Sequence, residues 1–425
     1  MAVDRQSVML KIFSRKDTTA VDQLFARRAR RLERAQVVVG PILEDVRKKG
    51  DRALISYARQ FDGLEGNSVR IPPSRLLEST EALPKPFLSA LDVSSRQIRR
   101  FAERQMPKSW NKSFGAGVVL GQEVRPLDSI AAYIPGGRYP LPSTLMMTVI
   151  PAQTAGVKLI SAASPTPNLE TLGTAGYMEV NNFFHMGGAQ AVAAFAFGTE
   201  TVPRADRIVG PGNIYVAAAK KLLAGTAGID FVAGPTEIFL IAADGDPRYI
   251  AADMLAQAEH DTDAAAVLLT TSKRLARRVQ REVARQLETL PTGKVASKAI
   301  MSNSAIILTA SLDEAVEISN RFAPEHLVLY DENLLNKIDN AGSIFLGPWS
   351  PEAAGDYVSG PNHVLPTGGV ARLRGGLSVL DYIKVITVQQ LKREGLQRLA
   401  PAIVTLARAE GLEAHARSVE VRLDD

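Results

Sequence analysis

The sequence predicts an α/β protein built on two parallel sheets covered by helices, with helical segments at both ends of the chain. Three observations carry this expectation. From Val118 onward, short β-branched runs alternate with amphipathic helical stretches, the texture of strands buried on both faces. The N-terminal third and the stretch after Val388 show helical periodicity instead. The length of 425 residues is enough for two or three domains, each with its own core.

Taken in order, Val37 to Phe61 reads as helix through Val38, Ile42, Val46, Leu54 and Tyr57, and Phe87 to Met106 repeats the pattern with a basic outer face. Strands are expected at Ser129–Ile134, Val157–Ala162, Arg207–Val209, Ile238–Ala242, Ala265–Thr270, Ala305–Leu308, Leu327–Tyr330 and Ser343–Leu346. Between them, Ser272–Leu290 places Leu275, Val279, Val283 and Leu287 on one helical face, and Ser311 with Glu314 has capping-box spacing ahead of Ala315, Ile318 and Phe322. The strand signal ends at Val385–Val388. Gln390 to Arg417 is helical through Leu391, Leu396, Leu399, Ile403, Leu406 and Leu412. A helical tail that follows a completed α/β body is expected to pack outside its own core, for instance on a second subunit.

Composition removes several chemistries. With no cysteine there is no disulfide framework, Cys-type zinc ribbon, iron–sulfur cluster or thiolate nucleophile. Metal and acid–base work falls to His185, His260, His326, His363, His415 and the carboxylates. The uncharged stretches Tyr139–Val157 and Val180–Thr199 approach a membrane span in length, but Pro140, Pro142 and Pro151 break the first and Asn181, Asn182, His185 and Gln190 the second. No membrane span and no leader peptide is indicated, and cytoplasm is the expected location. The net charge of +5 is concentrated at Arg27, Arg28, Arg30, Arg31 and Arg34. Leu24, Leu32, Val38 and Leu43 thread this run at near-helical spacing, so it reads as a solvated helix face and not as a nucleic-acid site.

Five groups of residues are candidates for chemistry. Gly115-Ala-Gly117-Val-Val-Leu-Gly121 has the wrong spacing for a Rossmann turn and precedes a strand, and no P-loop is present. Other glycine turns sit at strand ends: Tyr133-Ile-Pro-Gly136-Gly137-Arg138, Gly187-Gly188-Ala-Gln190, Gly210-Pro-Gly212-Asn213 and Gly234-Pro-Thr236-Glu237. Tyr133, Gln190 and Asn213 make the first three a candidate nucleotide edge, against plain structural turns. Asp246-Pro247 starts a helix that carries Asp253, Gln257 and His260 on one face, so the last two are candidate ligands of a metal such as zinc, or a helix end completing its hydrogen bonds. Glu325-His326, at a helix-to-strand junction, offers a carboxylate and an imidazole pointing different ways, a possible base pair or a chance neighbourhood. The long loop from Trp349 to Pro366 offers Asp356 and His363 as metal or substrate contacts, against turn-forming polar residues. His415, in Glu410-Gly-Leu-Glu413-Ala-His415, stands alone on the tail.

Several of these segments together resemble histidinol dehydrogenases: Gln257-Ala-Glu-His260, Ala-Pro-Glu325-His326-Leu, Ser-Pro-Glu-Ala-Ala-Gly-Asp356-Tyr, Gly-Pro-Asn-His363-Val-Leu-Pro and Glu410-Gly-Leu-Glu-Ala-His415. Tyr133-Ile-Pro-Gly-Gly, Gly-Gly-Ala-Gln190-Ala and Gly-Pro-Gly-Asn213 agree, in the same order, over about Val37 to Arg422. The resemblance implies two incomplete Rossmann-like domains: an N-terminal arm at 1–30, a discontinuous first domain of 31–125 and 234–375 with the metal and catalytic residues, a second domain at 126–233 on the NAD side, and a dimerisation segment at 376–425. It implies a homodimer with active sites shared between subunits, one Zn2+ per subunit, and NAD. The expected reaction is oxidation of L-histidinol to L-histidine through L-histidinal in two NAD-dependent steps.

By the same resemblance, Gln257, His260, Asp356 and His415 are expected as zinc ligands, His415 coming from the partner subunit. Glu325 and His326 are expected to be catalytic. Substrate contacts are Thr236, Gln257, His260, His326, Asp356, Glu410 and His415, and NAD contacts are Tyr133, Gln190 and Asn213. The absent thiol fits a second oxidation through a hydrated aldehyde, with Glu325 activating water and His326 taking protons. An ordinary imidazole at His326 would make activity rise from mildly acidic to mildly alkaline pH. Two alternatives use the same residues: a relative that oxidises another small polar alcohol such as a sulfonated diol, which Glu410 disfavours, and a zinc-dependent hydrolase, which leaves the glycine turns unexplained.

Overall fold

The computed structural model describes residues 10–14, 17, 30–136, 139–180, 182–232 and 234–424, without the side chains of 30 and 31. Arg27 and Arg28 of the basic run lie outside the described residues, as do the side chains of Arg30 and Arg31. Arg34 is exposed, as a solvated face requires.

In chain order the first elements are β1 (Lys11–Phe13), α1 (Arg30–Lys49), α2 (Asp51–Phe61), β2 (Arg70–Ile71), α3 (Pro73–Glu81), α4 (Lys85–Gln105), β3 (Trp110–Ser113) and β4 (Val118–Pro126). Then come β5 (Ser129–Tyr133), α5 (Pro142–Ala155), β6 (Leu159–Ser164), α6 (Leu169–Tyr177), β7 (Asn182–His185), α7 (Gly188–Phe197), β8 (Arg207–Val209), α8 (Ile214–Leu223) and β9 (Gly228–Ile229). A second βα series follows as β10 (Glu237–Ile241), α9 (Pro247–His260), β11 (Ala265–Thr270), α10 (Lys273–Leu287), α11 (Gly293–Asn303), β12 (Ala305–Leu308), α12 (Leu312–Phe322), β13 (His326–Leu329) and β14 (Ser343–Leu346). The chain ends with α13 (Glu352–Tyr357), β15 (Ile383–Leu391), α14 (Arg393–Ala409) and α15 (Glu413–Glu420).

Two six-stranded sheets result. One has the order β1-β12-β11-β10-β13-β14 and is parallel throughout. The other runs β2-β7-β6-β5-β8-β9, parallel except at the β2 edge. Their central strands, β10 and β5, are buried at every residue, which is why both read, after a polar first residue, as apolar runs without alternation. The helices start where their caps dictate: Ser272 accepts from Leu275 N, Ser311 from Glu314 N, and Asp246 from Arg248 N ahead of Pro247.

Five features differ from the expected layout. The helical face of α1 is carried by Ala35, Val39, Leu43 and Val46, and Val38 is 54% exposed, so the buried stripe is one residue out of step with the expected one. Gly50 divides the expected Val37–Phe61 helix into α1 and α2. Helices α1 and α2 pack against α7 and α8 in one core, and α4 packs against α5 in another, so residues 30–105 clothe the sheet of 126–233 and not, as expected, that of 234–375. Residues 11–13, placed in the arm, form an edge strand against 305–307. A third sheet of order β15-β4-β3 is antiparallel, and all of β15 after Ile383 is exposed in the single chain.

These connections fix two sheet edges. In the second sheet, strand order reverses between β5 and β8, so a crevice opens at their carboxyl ends. In the first sheet, Ile238 lies opposite His326 where β10 and β13 begin, and α9, running back from the carboxyl edge, ends beside them.

Helices α3 and α6 cross closely enough that a methyl on Gly176 would overlap Thr80 Oγ1 and the Leu76 carbonyl oxygen. Gly176→Ala is therefore expected to destabilise the chain by about 1–3 kcal/mol in urea unfolding. An unchanged midpoint would show that the helices are not in contact there.

Candidate active site

The backbone of one residue, Glu237, organises the amino-terminal edge of the first sheet. The Glu237 N–H donates to Glu325 Oε2 at 2.9 Å, and the Glu237 carbonyl lies 3.2 Å from His326 Nδ1. A carbonyl can only accept, so Nδ1 carries the proton and the lone pair is left on Nε2. Thr236 adds a hydroxyl 2.5 Å from Glu325 Oε2. Ala323, at φ 55°, turns the chain from α12 toward β13, and its left-handed backbone is held by a bond to Ser319 O.

Glu325 and His326 are only 6% and 4% exposed, and burial governs both. It pushes the Glu325 carboxyl well above its ordinary range, against the hydrogen bonds from Thr236 and Glu237. The same burial pulls His326 down to about 4, although Asp356 opposes it. The rise in activity expected of an ordinary imidazole near neutral pH is thus not expected of His326, which is a neutral acceptor throughout that range. An imidazolium formed by proton uptake would lie 3.7 Å from Glu325 Oε2 and 3.9 Å from Glu352 Oε1.

The last turns of α9 and the short α13 bring together His260, Glu352 and Asp356, whose ligand atoms all fall within 4.8 Å of one another. His260 Nε2 is 3.7 Å from Asp356 Oδ2, and His260 is the more open of the two, with its side chain 39% exposed. The Asp356 carboxylate works against burial but is held below its usual range by His260, with His363 and His326. Gln257 is fully buried; with its amide turned to match both ends, it donates to Glu352 Oε1 at 2.6 Å and accepts from the Thr236 hydroxyl. Thr236 has one proton and cannot give it to both Gln257 and Glu325. The chain of bonds closes when Glu325 is protonated, which agrees with its raised pKa.

Among the described residues, no Lys or Arg forms an ion pair with Glu325, Glu352 or Asp356. Carboxylates gathered without a cation beside an imidazole are a donor set suited to a divalent ion of borderline softness such as zinc. His260 and Asp356 lie together with Glu352, which was not anticipated, and Gln257 joins them through its bond to Glu352. The signal for Glu352 was its position one helical turn before Asp356.

His363 takes no ligand position. Nδ1 meets the Asp356 carbonyl at 2.8 Å, Nε2 meets Thr144 Oγ1 at 3.1 Å, and both ring nitrogens are thereby used. Thr144 lies in the first turn of α5, at the carboxyl edge of the second sheet. His363 thus joins the two edges, and Asn362 reinforces it by donating to Met147 O at 2.6 Å.

On that second edge, Tyr133 ends β5 and its buried hydroxyl accepts from Gly188 N at 3.2 Å, with burial pushing its pKa up to about 12. Gln190 Nε2 donates to Asp62 Oδ2 at 3.0 Å, and the same oxygen accepts from Gly187 N at 2.8 Å, so Asp62 holds the second glycine turn. Nothing in the sequence around Asp62 marked it. His185, which had no assigned role, bonds the Asp62 carbonyl. Asn213 caps α8, its Oδ1 accepting from Tyr215 N and Val216 N. Tyr133 and the Gly210–Asn213 turn flank the crevice between β5 and β8, and Gly137 and Arg138 lie outside the described residues.

Glu410 and His415 are not brought to this cluster. They sit exposed at the end of α14 and on α15, with no side-chain hydrogen bond or ion pair to the site residues among the described ones.

Comparison with known proteins agrees with the motifs. The family model described as histidinol dehydrogenase matches residues 25–423. The histidinol dehydrogenase of Halalkalibacterium halodurans is 45% identical over 399 residues, covering 92% of this chain and 94% of that one. That of Geobacter metallireducens is 46% identical over 397 residues, covering 91% of each. The crystal structure of histidinol dehydrogenase from Elizabethkingia anophelis superposes with a TM-score of 0.91 at 37% identity, over 97% of this chain and 98% of that chain. No helix among the described residues is long and apolar enough to cross a membrane. The chain belongs to the histidinol dehydrogenase family.

Proposed function

We propose that this protein oxidises L-histidinol to L-histidine through L-histidinal, using two molecules of NAD and one zinc ion per subunit, as a cytoplasmic homodimer. The observation that carries the reading is the Glu325–His326 pair held by the Glu237 backbone beside the His260, Glu352 and Asp356 donors. When bound, zinc would supply a fixed positive template for the substrate's amine and imidazole nitrogens, and NAD the hydride acceptor. Gln257, His260 and Asp356 would hold the metal, and Tyr133, Gln190 and Asn213 the cofactor.

The chain's own residues do the proton work. His326 Nε2 removes the hydroxyl proton of the alcohol as hydride leaves its carbon, and the Asp356 carboxylate, the charge that favours proton uptake on His326, stabilises the resulting imidazolium. The aldehyde then needs an oxygen nucleophile, since a chain without cysteine cannot make a thioester. Once Glu325 has lost its proton, burial makes it a stronger base than a solvated carboxylate, able to take a proton from water as that water adds to the carbonyl. His326, having passed its first proton to solvent, deprotonates the hydrate as the second hydride leaves for a second NAD, which yields the acid.

The His260 side chain is 39% exposed, so the cluster can be approached from outside the chain on that side. Leu406, Leu412 and Val421 of the tail are 64%, 42% and 63% exposed, and Val385, Ile386 and Val388 of β15 between 43% and 51%. An apolar surface of this kind supports a second copy as its cover, bringing Glu410 and His415 to the neighbouring site.

Mixing the protein with NAD and L-histidinol is expected to raise absorbance at the reduced-nicotinamide band; no signal would refute the activity. His326→Gln is expected to keep its zinc and lose about two orders of magnitude in kcat. His415→Ala is expected to lower zinc content after dialysis. Full zinc retention in that variant would exclude His415 as a ligand.

A further inference from the structure

We infer that Lys220 and Asp230, a buried ion pair outside the ligand contacts, are positioning residues of the dinucleotide site, fixing the turn that presents Asn213. The inference rests on the reading of Tyr133, Gln190 and Asn213 as NAD contacts. Lys220 Nζ lies 2.7 Å from Asp230 Oδ1, with the two side chains 3% and 0% exposed. Both charges converge on one residue, Gly210, at the carboxyl end of β8. Its N–H donates to Asp230 Oδ2 at 2.8 Å and its carbonyl accepts from Lys220 Nζ at 2.5 Å. Phe231 N also donates to Asp230 Oδ1, at 2.7 Å, so the carboxylate is anchored from its own strand end as well.

Gly210 has φ 106°, and a side chain there would overlap the Tyr133 carbonyl oxygen. The end of β8 is thus pressed against the end of β5, one wall of the crevice against the other. Three residues on, Asn213 caps α8, and Lys220 lies seven residues further along that same helix. The covalent path from Gly210 through Asn213 to Lys220 is closed into a ring by the Lys220–Gly210 bond. Asn213 Oδ1 is committed to the cap, so its amide NH2 is the group free to face the crevice.

Stability alone does not require charges here. A buried ion pair carries a desolvation cost that well-packed apolar side chains of similar volume avoid. What the pair adds is direction: opposite charges meet opposite ends of a single residue and leave the turn one geometry. Loosening it displaces Asn213 and the start of α8 relative to Tyr133, and a shift of about 1 Å in a binding group can cost up to about a hundredfold.

The test uses the full-length, zinc-loaded enzyme carrying K220M/D230N or K220M/D230L, with Asn213→Ala as comparison and NAD affinity measured by calorimetry. In the Asn variant a side-chain oxygen still accepts the Gly210 N–H; in the Leu variant nothing does. Both double variants are expected to retain zinc and the KM for L-histidinol, while the Kd and KM for NAD rise by roughly tenfold or more. The Asn variant should recover part of that loss. Unchanged NAD affinity in both doubles, with weakened binding in Asn213→Ala, overturns the positioning role and leaves the nucleotide reading intact. Unchanged NAD affinity in Asn213→Ala as well takes down the nucleotide reading and this inference with it. Should neither double variant fold, Lys220→Arg keeps the ion pair while displacing its bond to the Gly210 carbonyl; weaker NAD binding is expected of it, and unchanged binding overturns the positioning role.

Discussion

Both halves of the acid–base pair hang from the backbone of a single residue. The Glu237 N–H fixes Glu325 and the Glu237 carbonyl fixes His326, so adjacent side chains at the start of one strand are oriented by one residue of the next. The pairing of β10 with β13 sets this arrangement, with Ile238 opposite His326. A slip of one residue would turn His326 to the other face of the sheet. A fully buried β10 makes such a slip costly, and the chemistry depends on that rigidity.

The site departs from the usual habit of open α/β sheets, whose ligands bind outside the carboxyl ends of the strands. The second sheet obeys it at the crevice between β5 and β8. The first sheet places its reactive groups at the opposite, amino-terminal edge, where α9 ends. The two edges are joined through His363, which bonds the Asp356 carbonyl on one side and Thr144 on the other. A histidine without a free nitrogen thus aligns the proton-transfer groups with the crevice.

Legibility in the sequence followed the range of the interactions. The bounds of β8, β11, β12 and β14 were readable residue for residue, because parallel strands appear as short apolar runs ended by turn residues. Helix starts at Ser272 and Ser311 were readable because caps are local. Long-range packing was not: the helices of 30–105 cover the second sheet, and nothing in their periodicity says which sheet they face. β7 was missed because Asn182–His185 is short and sits in a glycine- and alanine-rich stretch without strand punctuation. At the site, Gln257, His260, Asp356, Glu325 and His326 were found through motifs. Glu352 and Asp62 were passed over because their roles consist of bonds to residues distant in sequence, and His363 resolved into a bridge only when both its partners were in view. The low His326 pKa was likewise invisible, since burial is a property of the fold and not of the residue.

The most direct test of this account is 15N NMR of the His326 imidazole. In the metal-free protein the ring should be neutral, protonated on Nδ1, and should titrate with a midpoint at about 4. The same tautomer should persist with zinc bound. A proton on Nε2, or a midpoint near the ordinary imidazole value of about 6.5, would contradict the claim that the Glu237 carbonyl and burial together prepare this ring as the base.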